Sequence, residues 1–286
     1  STVTHLVVDI CKAAGKKVLM GGNIGLPALD LLELSADVIV LELSSFQLET
    51  TYSLMPLVAT ILNITEDHLD RHGELATYQK IKHKIYQNCQ YVVCNRDHVL
   101  SYCVHSKPKI SYGLSQSSTG FSWDKNNACI MLDGNTFLDS KNCLLFGGHN
   151  MLNIQAAAAL AKVLGIDDHS IRQGAQNFGG LPHRTQTISM FNNVCWINDS
   201  KATNVGATLA AINGLVSNIQ GKLILIAGGE GKGADFSVMD ECLTKYVDLL
   251  ITLGKDGHKI ARLHANNVKV KTIEEAVSLA AELSEA

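Results

Sequence analysis

Two short runs of apolar, largely β-branched residues constrain this chain most. They are Val38-Ile39-Val40-Leu41-Glu42-Leu43-Ser44-Ser45 and Val58-Ala59-Thr60-Ile61-Leu62-Asn63-Ile64-Thr65-Glu66-Asp67-His68-Leu69-Asp70. Each reads as a strand covered on both faces, and each stops in a polar cluster. In an open parallel sheet, ligands bind beyond the carboxyl ends of the strands. Glu42, Asp67 and His68 are therefore expected at one edge. Lys82 follows on a helix, with Tyr78, Ile81, Ile85 and Tyr86 at helical spacing around it. Hard oxygen ligands, one imidazole and a lysine suit a pocket for a metal ion and phosphate.

The rest of the chain repeats the same strand–helix alternation. Ser1–Ala14 has a helical period, Lys16–Met20 reads as a strand, Gly21–Gly25 as a glycine-rich turn and Leu26–Leu34 as a helix. Tyr91–Asn95 is a further buried strand. Between Ile110 and Phe146 the pattern shortens, and Asp133-Gly134-Asn135 is a hairpin signal, so a small antiparallel appendage is expected. Helices are expected over His149–Leu164 and Asp168–Phe178. Glycine and proline in Gly179–Arg184 mark a boundary, giving domains 1–181 and 182–286. Beyond it, strands Val194–Ile197, Leu223–Ala227 and Leu249–Leu253 alternate with helices near Val205–Asn213, Val238–Lys245, Gly257–His264 and Ile273–Leu283. The fold class is α/β throughout.

Length and composition agree. A chain of 286 residues suggests about two domains. A hydrophobic fraction of 46% and a charged fraction of 18% argue against disorder. A net charge of −3 without a basic run makes nucleic acid and anionic membranes poor partners. No apolar run approaches the ~18 residues of a membrane-spanning helix. The eight cysteines lack a CxxC and read as reduced core or surface residues, which points to the cytoplasm. The abrupt helical start at Ser1 suggests part of something longer.

Several polar clusters admit two readings. Ser1-Thr2 is either a helix cap or the tail of a phosphate-binding loop that would place a hydroxyl on Mg²⁺. Gly228–Gly233 follows a strand, but it lacks the spacing of an ATP loop. Its Lys232 suits a carboxylate substrate or is simply solvated. Asp199–Asn204 is either a helix N-terminus capped by Asp199 or Thr203, or a ligand contact. Asn150 and Asn153 either cap a helix or read an adenine edge. Glu42 could cap the following helix, His68 could be a core histidine, and Lys82 a surface lysine.

Taken together these stretches resemble the Mur ligases. Gly22-Asn-Ile-Gly-Leu-Pro27, Glu42-Leu-Ser-Ser-Phe-Gln-Leu-Glu49, Asn63-Ile-Thr-Glu-Asp-His68-Leu-Asp70, Gly148-His-Asn-x-x-Asn153, Leu181-Pro-His-Arg184 and Asn198-Asp-Ser-Lys-Ala-Thr-Asn204 occur in order. They span essentially the whole chain. The resemblance implies a central parallel-sheet ATPase domain of P-loop type with its antiparallel appendage, then a Rossmann-like domain. It also implies an ATP-dependent, ADP-forming amide ligase of peptidoglycan synthesis that joins D-glutamate to UDP-N-acetylmuramoyl-L-alanine through an acyl phosphate.

Carried over by residue, Ser1 and Thr2 resemble the end of the ATP loop. Glu42 and His68 resemble ligands of Mg²⁺ or Mn²⁺, with Ser1 beside them. Lys82 resembles the family's carbamylated lysine, an anionic oxygen ligand. Asn150, Asn153, Arg184 and Asp199 resemble ATP contacts, and Asn23 and Ser44 contacts of the muramoyl substrate. Lys201, Thr203 and Lys232 resemble groups that hold D-glutamate. The expected partners are small molecules, and a monomer is expected. The family's uridine-binding domain, its P-loop glycines and lysine, and its last strands are not in this sequence, so the chain alone is expected to turn over no ATP. The rival readings are a folylpolyglutamate-type ligase of the same superfamily and a non-catalytic nucleotide-binding module.

Overall fold

The computed structural model describes residues 1–103, 107–145, 147–216, 219, 221–231 and 233–284 of the chain. They fall into two compact units, Ser1–Gly179 and Gly180–Ala286.

In the first unit, α1 (Thr2–Ala13) buries Val3, Leu6, Val7 and Ile10, three and four residues apart, along one stripe. Strands β1 (Val18–Gly22) and β2 (Val38–Glu42) pair in parallel, with Val18 opposite Val38 and Gly22 opposite Glu42. A short helix α2 (Ser45–Glu49) follows, then β3 (Val58–Ile61), the single-turn α3 (Leu69–His72) and α4 (Leu75–His83). Strands β4 (Tyr91–Asn95) and β5 (Lys109–Tyr112) pair with β3 in the parallel order β3-β4-β5.

The antiparallel appendage is β6 (Phe121–Asp124), β7 (Cys129–Leu132) and β8 (Asn135–Asp139). Asp133 and Gly134 both take positive φ, 49° and 78°, which is the two-residue turn whose twist matches the strands it joins.

Helix α5 (Gly148–Val163) packs across β3, β4 and β5, and α1 packs on β1, β2, α5 and α6 (Asp168–Asn177). Ala156–Ala159 in α5 are fully buried, and their small side chains let the helix lie close. Gly174 allows a tighter crossing still. A Cβ there would lie 2.6 Å from the Ile10 Cα of α1.

The apolar spacing of Leu26–Leu34 predicts a helix, but the structure has a single 3-10 turn there, Asp30–Glu33. The Gly22 N–H donates to the Leu26 carbonyl at 2.8 Å, which commits the segment to closing the glycine loop. Pro27 then disfavours helix at the residue before it. Leu29 and Leu32 are left exposed, with no face to bury.

In the second unit, β9 (Gln186–Phe191) and β10 (Val194–Asn198) form an antiparallel pair. Helix α7 (Val205–Leu215) leads to β11 (Ile224–Gly228), α8 (Asp240–Tyr246), β12 (Leu249–Leu253), α9 (Gly257–Ala261), β13 (Asn267–Lys269) and α10 (Ile273–Ser284). The three later strands are parallel, in the order β11-β12-β13. Along β12 successive side chains serve opposite cores, as strand geometry requires. Leu250 joins Ile212, Leu243 and Ile260, whereas Leu249 and Ile251 join Ala276 and Ala280.

Candidate active site

The carboxyl end of β2 is shaped by backbone. The Asn23 N–H donates to the Glu42 carbonyl at 2.6 Å, and Gly22 (φ 103°) passes so close that a Cβ would meet that same oxygen. The Asn23 side chain stays exposed. Held in this way, the half-buried Glu42 carboxylate meets the first turn of α1. Its side-chain partners are Ser1 Oγ (3.2 Å) and Thr4 Oγ1 (3.3 Å). Burial alone would raise the carboxyl's pKa. The Ser1 and Thr4 hydroxyls act in the opposite direction. Ser1 sits at the N-cap of α1 without capping it, because its hydroxyl points to Glu42 instead. Nor is Glu42 the cap of the next helix. Ser44 caps α2, exchanging bonds with Gln47, so its hydroxyl is already engaged.

Lys82 lies on α4 one turn beyond Tyr78, and its Nζ stands 5.2 Å from the centroid of that ring. Burial pushes the Lys82 amine below the ordinary lysine value, against the pull of the Asp67 and Glu42 carboxylates. Tyr78, driven first by burial and then by Asp67, is raised to about 12. Glu42, Asp67 and Lys82 thus share one electrostatic neighbourhood.

His68 lies at its margin. It adopts the left-handed conformation (φ 54°), uncommon for a residue other than glycine. Its side chain is 46% exposed, 3.7 Å from Asp67 Oδ2, and its ring meets Phe46 edge-on at 5.0 Å. It is not a core histidine. That place belongs to His72, which is buried.

Among the described residues no three His, Cys, Asp or Glu side chains gather as a ready-made metal cage. What stands at Glu42 is a carboxylate with two hydroxyls beside it, at the N-terminus of a helix. That donor set fits a hard divalent ion whose shell is completed by water and phosphate, the usual habit of Mg²⁺.

Asn150 and Asn153 stand in the first turns of α5, with Asn153 Nδ2 donating to Asn150 Oδ1 at 3.1 Å. Neither caps the helix, whose N-cap is Gly147. Gly148 packs against Leu114, and Gln155 accepts from the Gly113 N–H, so this end of α5 sits at the carboxyl end of β5.

In the second unit, Asp199 Oδ1 accepts from the Thr185 N–H (3.0 Å), and the Lys201 N–H donates to the His183 carbonyl (3.1 Å). These bonds bring Arg184, Asp199, Lys201 and Thr203 together, with Arg184, Lys201 and Thr203 exposed. The cap of α7 is neither Asp199 nor Thr203, as the spacing also allowed. Asn204 accepts from the Ala207 N–H, because Asp199 is already committed to Thr185. Beyond β11, Asp256 accepts from the Gly231 N–H (2.8 Å) and pairs with Lys259, while Lys255 pairs with Glu230. Lys232 lies outside the described residues.

Thr4, Ser45 and His72 escaped sequence reasoning. Each acts through a tertiary contact, and only the four-residue spacing of Tyr78 and Lys82 hinted at a shared face.

The signature of the Mur ligase middle domain matches residues 1–161. The chain belongs to the Mur ligase family. A second signature, the glutamate ligase domain of Mur ligases, matches residues 183–286. The UDP-N-acetylmuramoylalanine--D-glutamate ligase of Shewanella oneidensis is 45% identical over 284 residues, covering 99% of this chain. That of Haemophilus influenzae Rd is 44% identical over 97% of the chain. The chain spans about 64% of the length of these curated relatives. Among solved Mur ligase structures, MurF from Acinetobacter baumannii superposes with a TM-score of 0.79 at 18% identity, covering 99% of this chain and 67% of that one. E. coli FolC, in a complex with DHPP and ADP, gives 0.76 at 17%, covering 98% and 80%. At such identities both matches speak for the fold alone. Among the described residues no helix is long and apolar enough to cross a membrane.

Proposed function

We propose that this Mur ligase chain performs the nucleotide and amino-acid chemistry of an ATP-dependent ligase that adds D-glutamate to UDP-N-acetylmuramoyl-L-alanine. The observation that carries the reading is the grouping of Glu42, Asp67 and Lys82, with the Ser1 and Thr4 hydroxyls of α1 on Glu42 and the Lys82 amine over the Tyr78 ring. The relatives at 42–45% identity are D-glutamate ligases, whereas the folate-type neighbour shares 17%, which favours D-glutamate as acceptor.

In this reading the terminal phosphoryl group of ATP passes to the alanyl carboxylate. The bond to ADP breaks and an acyl phosphate forms. The neutral amine of D-glutamate attacks that carbonyl carbon, a C–N bond forms, phosphate leaves, and the amine gives up a proton.

Glu42, His68 and the Ser1 hydroxyl would hold Mg²⁺ or Mn²⁺. Bound there, the ion would spread the charge of the transferring phosphoryl group. Lys82 would act as its carbamate. The neutral amine attacks the carbon of CO₂ and releases a proton, exchanging a cation for an anionic oxygen donor. A depressed pKa favours the neutral amine this step needs. Ser1 and Thr2 would face the phosphates from the end of α1, whose helix dipole favours anions. Asn150, Asn153, Arg184 and Asp199 would contact ATP, and Asn23 and Ser44 the muramoyl substrate. Lys201, Thr203 and Lys232 would hold the two carboxylates of D-glutamate. The domains follow as 1–181 for ATP and 182–286 for the amino acid, in a cytoplasmic monomer acting on small molecules.

The test is ADP release by the full-length protein. Release that requires both the nucleotide-linked alanine and D-glutamate is expected. Release driven instead by a folate-type substrate with L-glutamate would overturn the reading.

A further inference from the structure

A chain of ring contacts from Phe46 through His72 to Tyr78 leads to Lys82 and has no part in the chemistry proposed above. His72 closes α3, is buried, and places Nε2 3.0 Å from Ser45 Oγ at the start of α2. Its ring stacks on Phe46 (5.5 Å, 25°) on one side and lies against Tyr78 (5.4 Å, 32°) on the other. Tyr78 in turn carries the Lys82 Nζ over its face. These contacts therefore link the segment just past Glu42 to the helix that bears Lys82.

An imidazole buried among rings loses its contacts with water, and burying it is costly unless a partner is supplied. A phenylalanine would fill the same space without that demand. The Ser45 hydroxyl supplies the partner and fixes the plane of the His72 ring. The ring plane in turn limits where Tyr78 stands. Lysine has a long, freely rotating side chain, and holding its amine at one point needs a wall of this kind. The four-residue α3 has too few backbone bonds of its own to hold His72 in place.

We propose that the Ser45–His72 pair is a positioning element that, through the Tyr78 ring, sets the direction of the Lys82 amine for carbamylation. It rests on the Lys82 role proposed above. Neither residue is among the groups proposed above to contact substrate. Both act through Tyr78.

The experiment uses the full-length protein with Ser45→Ala, His72→Phe, the double variant and His72→Gln. The readouts are kcat and KM for D-glutamate, thermal midpoint, and a ¹³C carbamate signal at Lys82 after incubation with ¹³C-bicarbonate. Ser45→Ala and His72→Phe are each expected to lower kcat by ~10- to 100-fold, as for other partners that orient a ligand. KM should move far less, and the carbamate signal should fall with kcat. The double variant should fall no further than the singles, because one bond is lost in all three. His72→Gln, which keeps an amide near the Nε2 position, should recover part of both.

Wild-type kcat and carbamate signal in Ser45→Ala and His72→Phe would overturn the proposal, and so would a fall of the double variant equal to the product of the singles. If His72→Phe fails to fold, Ser45→Ala, which removes one oxygen atom, decides alone. A wild-type protein that carbamylates but shows no turnover with D-glutamate would overturn the ligase reading while the signal still scores the pair. An absent wild-type signal would overturn the pair.

Discussion

The two units handle polar groups in opposite ways. At the carboxyl end of β2 and on α4, Glu42 and Lys82 are drawn half into the protein, and burial acts on the protonation of both. In the second unit Arg184, Lys201 and Thr203 stay exposed, and order comes from backbone hydrogen bonds to Asp199 and His183. The first arrangement fixes charge before any ligand arrives, which suits stabilisation of a transferring phosphoryl group. The second offers donors on a pinned loop, which suits capture of a small dicarboxylate. The contrast sets part-buried Glu42 and Lys82, proposed for chemistry, against exposed Arg184, Lys201 and Thr203, proposed for binding.

The largest test of that contrast pairs one lysine from each region. In the full-length protein, Lys82→Met should cost roughly 10²- to 10³-fold in kcat, as when one preorganised group is lost. The thermal midpoint should hold or rise, since a part-buried, charge-bearing side chain is replaced by an apolar one. Lys201→Ala should act mainly through KM for D-glutamate, raising it ~10-fold. A loss of kcat in Lys201→Ala as deep as in Lys82→Met would break the comparison.

A pH profile sharpens it. Burial lowers the Lys82 pKa, so the amine sheds its proton below the ordinary lysine value of 10.5. Activation by bicarbonate should rise with pH and level off short of that value. Folding stability carries the same sign. The unfolded chain binds the proton more tightly, so stability grows as pH climbs from the folded pKa toward 10.5. Denaturant melts of wild type and Lys82→Met across that range would show the difference.

Two structural substitutions follow, smaller in effect. Gly174→Ala forces a methyl group against the Ile10 backbone and should cost about 1–3 kcal/mol in the first unit only, read by denaturant midpoints of that unit. Glu230→Gln removes an ion pair between largely exposed partners and should change stability by less than ~1 kcal/mol.

Much of this was legible from sequence, because apolar runs and glycine turns report on local geometry. Val38–Glu42 and Leu249–Leu253 emerge as parallel strands and Asp133-Gly134 as a tight turn, but only Leu249–Leu253 is buried. Val38–Glu42, expected to be covered on both faces, is part-exposed, with Ile39 at 42%. The failures lie where tertiary contacts override local preference. Leu26–Leu34 carries a helical spacing, yet its backbone closes the Gly22 loop instead. Asp199 has cap chemistry, but Thr185 claims it. The Ser45–His72 bond spans 27 residues, a distance at which no periodicity operates.

The most direct measurement is the anomalous scattering of Mn²⁺ in crystals of the full-length protein grown with an ATP analogue. The account predicts a peak within about 2.5 Å of a Glu42 carboxylate oxygen, on the side facing Lys82. Ordered nucleotide with its Mn²⁺ peak remote from Glu42 would contradict it.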